Sequence, residues 1–60
     1  MISDRLLNEQ EAADILGCSP ALLRKMRLSH DGPAYCKIGR LVRYPEPDLI
    51  AFIESRRVNQ

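Results

Sequence analysis

Ser29, His30 and Asp31 carry the residue types of a hydrolytic triad at three consecutive positions. In a working triad a hydroxyl attacks, an imidazole takes its proton and a carboxylate orients the imidazole. Neighbouring residues cannot place those groups in line, and no oxyanion site accompanies them, so the run implies no catalysis and His30 reads as a loop residue. The two cysteines, Cys18 and Cys36, with the single histidine fall short of a four-ligand zinc site of familiar spacing. Both thiols read as reduced, small packing residues, and neither a metal nor a cofactor is expected. The remaining chemistry is electrostatic. Arg24, Lys25 and Arg27 crowd one short segment, and Lys37, Arg40 and Arg43 follow within the next stretch.

These cations dominate a chain whose net charge is only +1. Residues 1–23 set Arg5 against Asp4, Glu9, Glu11 and Asp14, a balance of −3. Residues 24–43 set six cations against Asp31, a balance of +5, and residues 44–60 return to −1. A basic middle between mildly acidic ends suits a polyanionic partner, although a solvated charged face produces the same pattern. Sixty residues form one domain, 1–60, with a small core worth roughly 3–5 kcal/mol net. They leave no room for an enzyme cleft walled on several sides. No apolar run reaches the roughly 18–20 residues of a membrane span, and the N-terminus lacks a basic region followed by an apolar stretch. The expected location is therefore the cytoplasm, alongside the nucleoid, with no membrane partner.

The elements that must hold these cations can be read from their ends. Asn8 can cap a helix, Glu11 sits where it can reach back to complete a capping box, and Leu7 can staple onto Ala12. Ala12, Ala13 and Leu16 share one face, and Gly17 closes the helix, giving a first helix over about Glu9 to Leu16. Ser19 caps a second helix and Pro20 fits its first position, where a missing N–H costs nothing. On that helix Leu23 and Met26 face inward and Arg27 borders them, while Ala21, Arg24, Lys25 and Leu28 point roughly the other way. Two short helices joined by a glycine-containing turn form a helix-turn-helix unit, whose second helix enters the DNA major groove. Small Ala12 and Ala13 permit the close crossing such a unit requires. The cations concentrate on the helix that would meet DNA.

Asp31, Gly32 and Pro33 end helical structure. The run YCKIGRLVRY then predicts a β-hairpin around Gly39 and Arg40. A two-residue turn puts Ile38, Leu41 and Arg43 on one face, mixing apolar and charged groups. A three-residue Gly39-Arg40-Leu41 connection pairs Ile38 with Val42 and Cys36 with Tyr44, leaving Lys37 and Arg43 outside. The cleaner segregation favours the longer connection, although glycine at the first loop position suits the shorter type II′ turn. Arg40 occupies the tip in both. Pro45, Glu46, Pro47 and Asp48 open a last helix with Leu49, Phe52 and Ile53 as its buried stripe and Arg56 and Arg57 near its end. The fold class is mainly α with a β-hairpin wing: helix, turn, helix, hairpin, helix.

Taken together, the stretches LLNEQEAADILGCSPALLRKMR and KIGRLVRYPEPDLIAFIESR resemble the small excisionase and AlpA-type winged-helix proteins, relatives of the DNA-binding half of MerR regulators. The resemblance runs from about Leu6 to Arg56 and rests on Glu11-Ala12-Ala13, Ser19-Pro20, Lys37-Ile38-Gly39, Arg43-Tyr44 and Phe52. It implies a winged helix-turn-helix with major-groove binding by the second helix and backbone or minor-groove contact by the wing. The residues expected to meet DNA are Ser19, Ala21, Leu22, Arg24, Lys25, Arg27, Lys37, Arg40 and Arg43. Relatives usually carry polar or basic residues just after Ser-Pro, where this chain has Ala21 and Leu22. These two either contact thymine methyls or, for Leu22, pack at the helix edge.

The function expected is sequence-specific binding of double-stranded DNA without catalysis. The favoured form is an excisionase of a prophage or mobile element that bends DNA beside an attachment site. Its partners would be an integrase or recombinase and neighbouring copies of itself on the duplex. A small transcriptional regulator of mobile-element genes is the alternative, and a protein-interaction module on the same scaffold the remote one. Basic residues on two elements flanking one groove speak against the last.

Overall fold

The computed structural model describes residues 5–58, so the ends of the expected 1–60 domain lie outside the described residues. Its elements are β1 (Leu6–Leu7), α1 (Glu9–Leu16), α2 (Pro20–Leu28), β2 (Cys36–Ile38), β3 (Leu41–Pro45) and α3 (Glu46–Ser55). The helix starts follow from local chemistry. Asn8 Oδ1 accepts the Glu11 N–H at 2.8 Å while Glu11 Oε1 accepts the Asn8 N–H at 2.9 Å, a complete capping box. Gly17, at φ +73°, ends α1, and the Cys18 N–H turns back to the Ala13 carbonyl at 3.0 Å. A Cβ at Gly17 would meet nothing within 4 Å, so glycine is needed there for its left-handed backbone and not for space. Ser19 Oγ then accepts the Leu22 N–H at 3.1 Å and opens α2, with Pro20 in the first turn.

Leu7, Ala12, Ala13, Leu23, Tyr44 and Leu49 are fully buried and form the core, with Leu16, Cys18, Met26 and Val42 packed around it. Every element except β2 contributes a fully buried residue. The two adjacent alanines present no long side chain at the α1–α2 contact, which lets the helices close on Leu23. The loop after α2 folds back over that helix. A Cβ on Gly32 would stand 3.1 Å from the Met26 Cβ, closer than ordinary packing, so a larger residue there would press Met26 back by a few tenths of an ångström. Arg56 fastens the end of α3 to the same loop through Asp31 Oδ1 at 3.1 Å, and its guanidinium lies 4.8 Å from the Phe52 ring centre.

Three expectations need correction. The hairpin register is Cys36 with Arg43, Lys37 with Val42 and Ile38 with Leu41, so Gly39 and Arg40 alone form the turn. Gly39 lies at φ +61° while Arg40 does not adopt positive φ, the signature of type II′. Turn chemistry prevails because Cys36, Lys37, Ile38 and Leu41 beside the turn are all exposed; burial begins at Val42 and Tyr44, so segregation has little to enforce near the tip. Lys37 and Arg43 consequently lie on opposite faces of the hairpin. Cys36 is exposed on the wing and is not a packing residue, whereas Cys18 does pack against the core. The α3 stripe is narrower than expected: Leu49 is buried, Phe52 half-buried and Ile53 exposed, because the helix rests chiefly on β3. That helix stops at Ser55, leaving Arg56 as its cap and Arg57 beyond it.

A third strand, β1, completes an antiparallel sheet in the order β1-β3-β2, pairing Leu6 with Pro45 and Leu7 with Tyr44. The Glu46 N–H extends the ladder to the Arg5 carbonyl at 2.8 Å. The wing is therefore continuous through β3 with the strand that leads into α1, so the two basic elements share one frame. Among the described residues no helix is long and apolar enough to cross a membrane.

Candidate nucleic-acid interface

The helix-turn-helix puts one face of α2 outward. Ala21 and Leu22 are exposed just after the Ser19 cap, with Leu22 at 46% exposure, so Leu22 is open to a partner and not sealed against the helix edge. Ser19 is exposed too, but its oxygen is engaged in capping. Lys25 is exposed with no side-chain partner among the described residues. On the wing, Lys37 and Arg40 are likewise exposed and unpaired, and Arg43 Nη1 donates to the Val42 carbonyl at 2.8 Å.

A shallow cleft of about 390 Å³ runs between α2 and the wing. Arg24 and Arg27 line one side and Arg40 and Arg43 the other, with Glu9 at the start of α1 beside them. The structure thus gathers four of the expected DNA-contacting residues around one opening. Ser19, Ala21, Leu22, Lys25 and Lys37 lie outside its lining. Positive charge focused in a cleft is an attractive setting for a polyanion.

Two of the four arginines are already paired with a carboxylate. Arg24 Nη2 donates to Glu9 Oε1 at 2.7 Å and its Nε to Oε2 at 3.4 Å. Arg27 Nη1 donates to Glu9 Oε2 at 3.0 Å and to the Tyr44 hydroxyl at 3.1 Å, and its guanidinium lies 5.8 Å from the Tyr35 ring centre. Only 15% of the Arg27 side chain is exposed, against 57% for Arg24. Arg27 therefore turns toward the protein, while Arg24 keeps much of its guanidinium in the open. Neither Glu9 nor Tyr44 stands out as part of a site in the sequence. Glu9 occupies the first turn of α1, where an acidic residue is accounted for by the helix dipole, and its partners lie 15 and 18 residues away.

The network shifts the ionisation of its members. The Arg24 hydrogen bond pulls the Glu9 carboxyl below its ordinary value of 4.5, with burial opposing and Arg27 assisting. Glu9 raises the Arg24 guanidinium, and the Tyr44 hydroxyl followed by Glu9 raises that of Arg27. A carboxyl depressed in the folded state adds stability that is present above its unfolded value and lost as pH falls through the folded one. Acidification from about pH 5 to about pH 3 is thus expected to lower the thermal midpoint, and Glu9→Gln to flatten that decline. Thermal melts across this range check it; an unchanged acid limb in the variant would show that Glu9 contributes nothing to it.

Among the described residues no group of three or more His, Cys, Asp or Glu side chains is placed to hold a metal ion. None of the curated proteins compared with the chain matches it. The arrangement that emerges is a capped helix pair with a basic outer face and an antiparallel wing beside it. A family model described as a helix-turn-helix domain matches residues 6–57, nearly all of the 60-residue chain, and the chain belongs to this AlpA-type family of helix-turn-helix DNA-binding domains.

Proposed function

We propose that the chain acts as an excisionase: a single domain, 1–60, that binds double-stranded DNA beside an attachment site, bends it and assists an integrase or recombinase. The observation that carries the reading is the cleft shared by α2 and the wing, with Arg24 on one wall and Arg40 and Arg43 on the other. In this reading α2 lies in the major groove, exposed Ala21 and Leu22 meet thymine methyls, and the wing follows the adjacent backbone. Lys25, Lys37, Arg40 and Arg43 hold phosphates. The protein works in the cytoplasm, on the nucleoid.

One such module buries roughly 600–1,000 Å² on DNA and reads few base pairs. Specificity then requires several copies on neighbouring sites. A shared duplex raises the effective concentration of one copy beside the next, so weak contacts formed only on DNA suffice for cooperativity. Serial occupancy also accumulates bend, which favours a recombination role over a single-operator regulator. Footprinting on the intergenic DNA next to the gene, with probes carrying one and two sites, tests this. The expected result is a monomer in free solution, cooperative filling of adjacent sites and a bend that grows with occupancy. A stable dimer in solution, or independent occupancy without bending, would contradict the excisionase reading and point to a small transcriptional regulator.

Base reading is separable from backbone holding. Arg24→Ala is expected to cost roughly 1–3 kcal/mol on the specific site and to relax preference at one base pair. Lys25→Ala is expected to weaken specific and random duplexes alike. Equal losses on both duplexes for Arg24→Ala would reduce Arg24 to a backbone contact.

A further inference from the structure

Glu9 sits where it governs how Arg24 can be used. A guanidinium has five N–H donors in a rigid plane. The side edge of Arg24, its Nε and one Nη2 hydrogen, faces the Glu9 carboxylate through the bonds at 3.4 and 2.7 Å. The end edge, Nη1 and the second Nη2 hydrogen, has no protein partner among the described residues. That end edge is the fork whose spacing matches O6 and N7 of guanine.

The carboxylate is itself fixed from behind. Its Oε2 accepts Arg27 Nη1 at 3.0 Å, and the same Nη1 reaches the hydroxyl of Tyr44, a fully buried residue of β3. A chain of contacts therefore runs from the core, through Arg27 and Glu9, to a half-exposed guanidinium on the outer face of α2. It removes rotamer freedom from Arg24 before any partner arrives. The charge of Glu9 also selects the kind of acceptor. A carboxylate beside the guanidinium repels a phosphate, whereas a base edge is neutral and is reached by the donors Glu9 leaves free. Lys25, which has no such neighbour, suits a phosphate.

We propose that Glu9 is a positioning residue that presents the free fork of Arg24 to one guanine in the major groove. The proposal rests on the reading that α2 enters that groove, and it adds the residue that sets base preference there.

The test uses the whole chain and a duplex selected by the unmodified protein from a randomised pool. Each guanine is replaced in turn by 7-deazaguanine, which lacks the N7 acceptor. The unmodified protein is expected to lose about fivefold in affinity at one guanine position. Glu9→Gln and Glu9→Asp are both expected to lose less than about twofold at that position, having already forfeited the discrimination. Glu9→Asp keeps the charge but withdraws the carboxylate, so it separates geometry from electrostatics and stands in if Glu9→Gln melts below the assay temperature. On a scrambled duplex Glu9→Gln is expected to bind at least as well as the unmodified protein, because a negative charge is gone. A full 7-deazaguanine penalty retained in both variants, or in Arg24→Ala, would overturn the role of Glu9 while leaving DNA binding intact. Failure of the unmodified protein to bind any duplex would overturn the groove reading, and this proposal with it.

Discussion

Tyr44→Ala is expected to leave the domain unfolded at 25 °C. Tyr44 is fully buried and the largest of the fully buried side chains. It lies on β3, the central strand, directly opposite Leu7 of β1. Its ring fills the space between the sheet and the helices, and its hydroxyl accepts from Arg27. Removing a buried aromatic ring costs roughly 3–5 kcal/mol through lost transfer energy and the cavity left behind. A core of this size contributes only about 3–5 kcal/mol in net stability, so the loss consumes it. Tyr44→Phe keeps the ring and removes only one hydrogen bond, at a cost of about 1 kcal/mol. Urea titrations followed by far-UV circular dichroism distinguish the two. Cooperative unfolding of Tyr44→Ala near the parent midpoint would show that the core is not organised around this residue.

The features legible in the sequence are those decided by a few neighbouring residues. Asn8 with Glu11, Gly17, and Ser19 with Pro20 each satisfy or release backbone groups within four positions, and α1 begins and ends, and α2 begins, where those residues place them. The winged architecture follows from the same signals in order. The hairpin register was ambiguous because two local preferences conflict there. Segregating Lys37 and Arg43 from Ile38 and Val42 favours one connection, while glycine first in the loop favours the other. The exposed wing lets the turn decide. Strand β1 is two residues long, too short for any alternation to show, and it exists because β3 has an edge to pair. The narrow burial of α3 depends on where that helix docks, which its own apolar spacing does not contain.

The expected contact surface was legible as a set of cations but not as a division of labour. In the sequence Arg24 falls on the outer side of α2 and Arg27 borders its inner side, yet both read as cations expected to meet DNA. Their separation into an outward and an inward guanidinium depends on Glu9 and Tyr44, brought together only by the packing of α1 and β3 against α2. No periodicity encodes a contact between residues 15 or 18 positions apart.

The second large effect expected is the sensitivity of DNA binding to salt. Among the described residues Lys25, Lys37, Arg40 and Arg43 engage in no carboxylate pair, and they stand on the two elements that flank the cleft. If each neutralises one phosphate, about four counterions are displaced, and log affinity should fall against log salt with a slope of about −3.6. Raising salt from about 50 to about 200 mM would then weaken binding roughly 150-fold. Lys37→Ala removes one contact and is expected to flatten the slope to about −2.7, on specific and random duplexes alike. The most direct measurement is fluorescence anisotropy of a labelled duplex titrated with the unmodified protein at several salt concentrations. A slope near −3.6 is the result that α2 and the wing jointly grasping the backbone would give; binding that is indifferent to salt would contradict it.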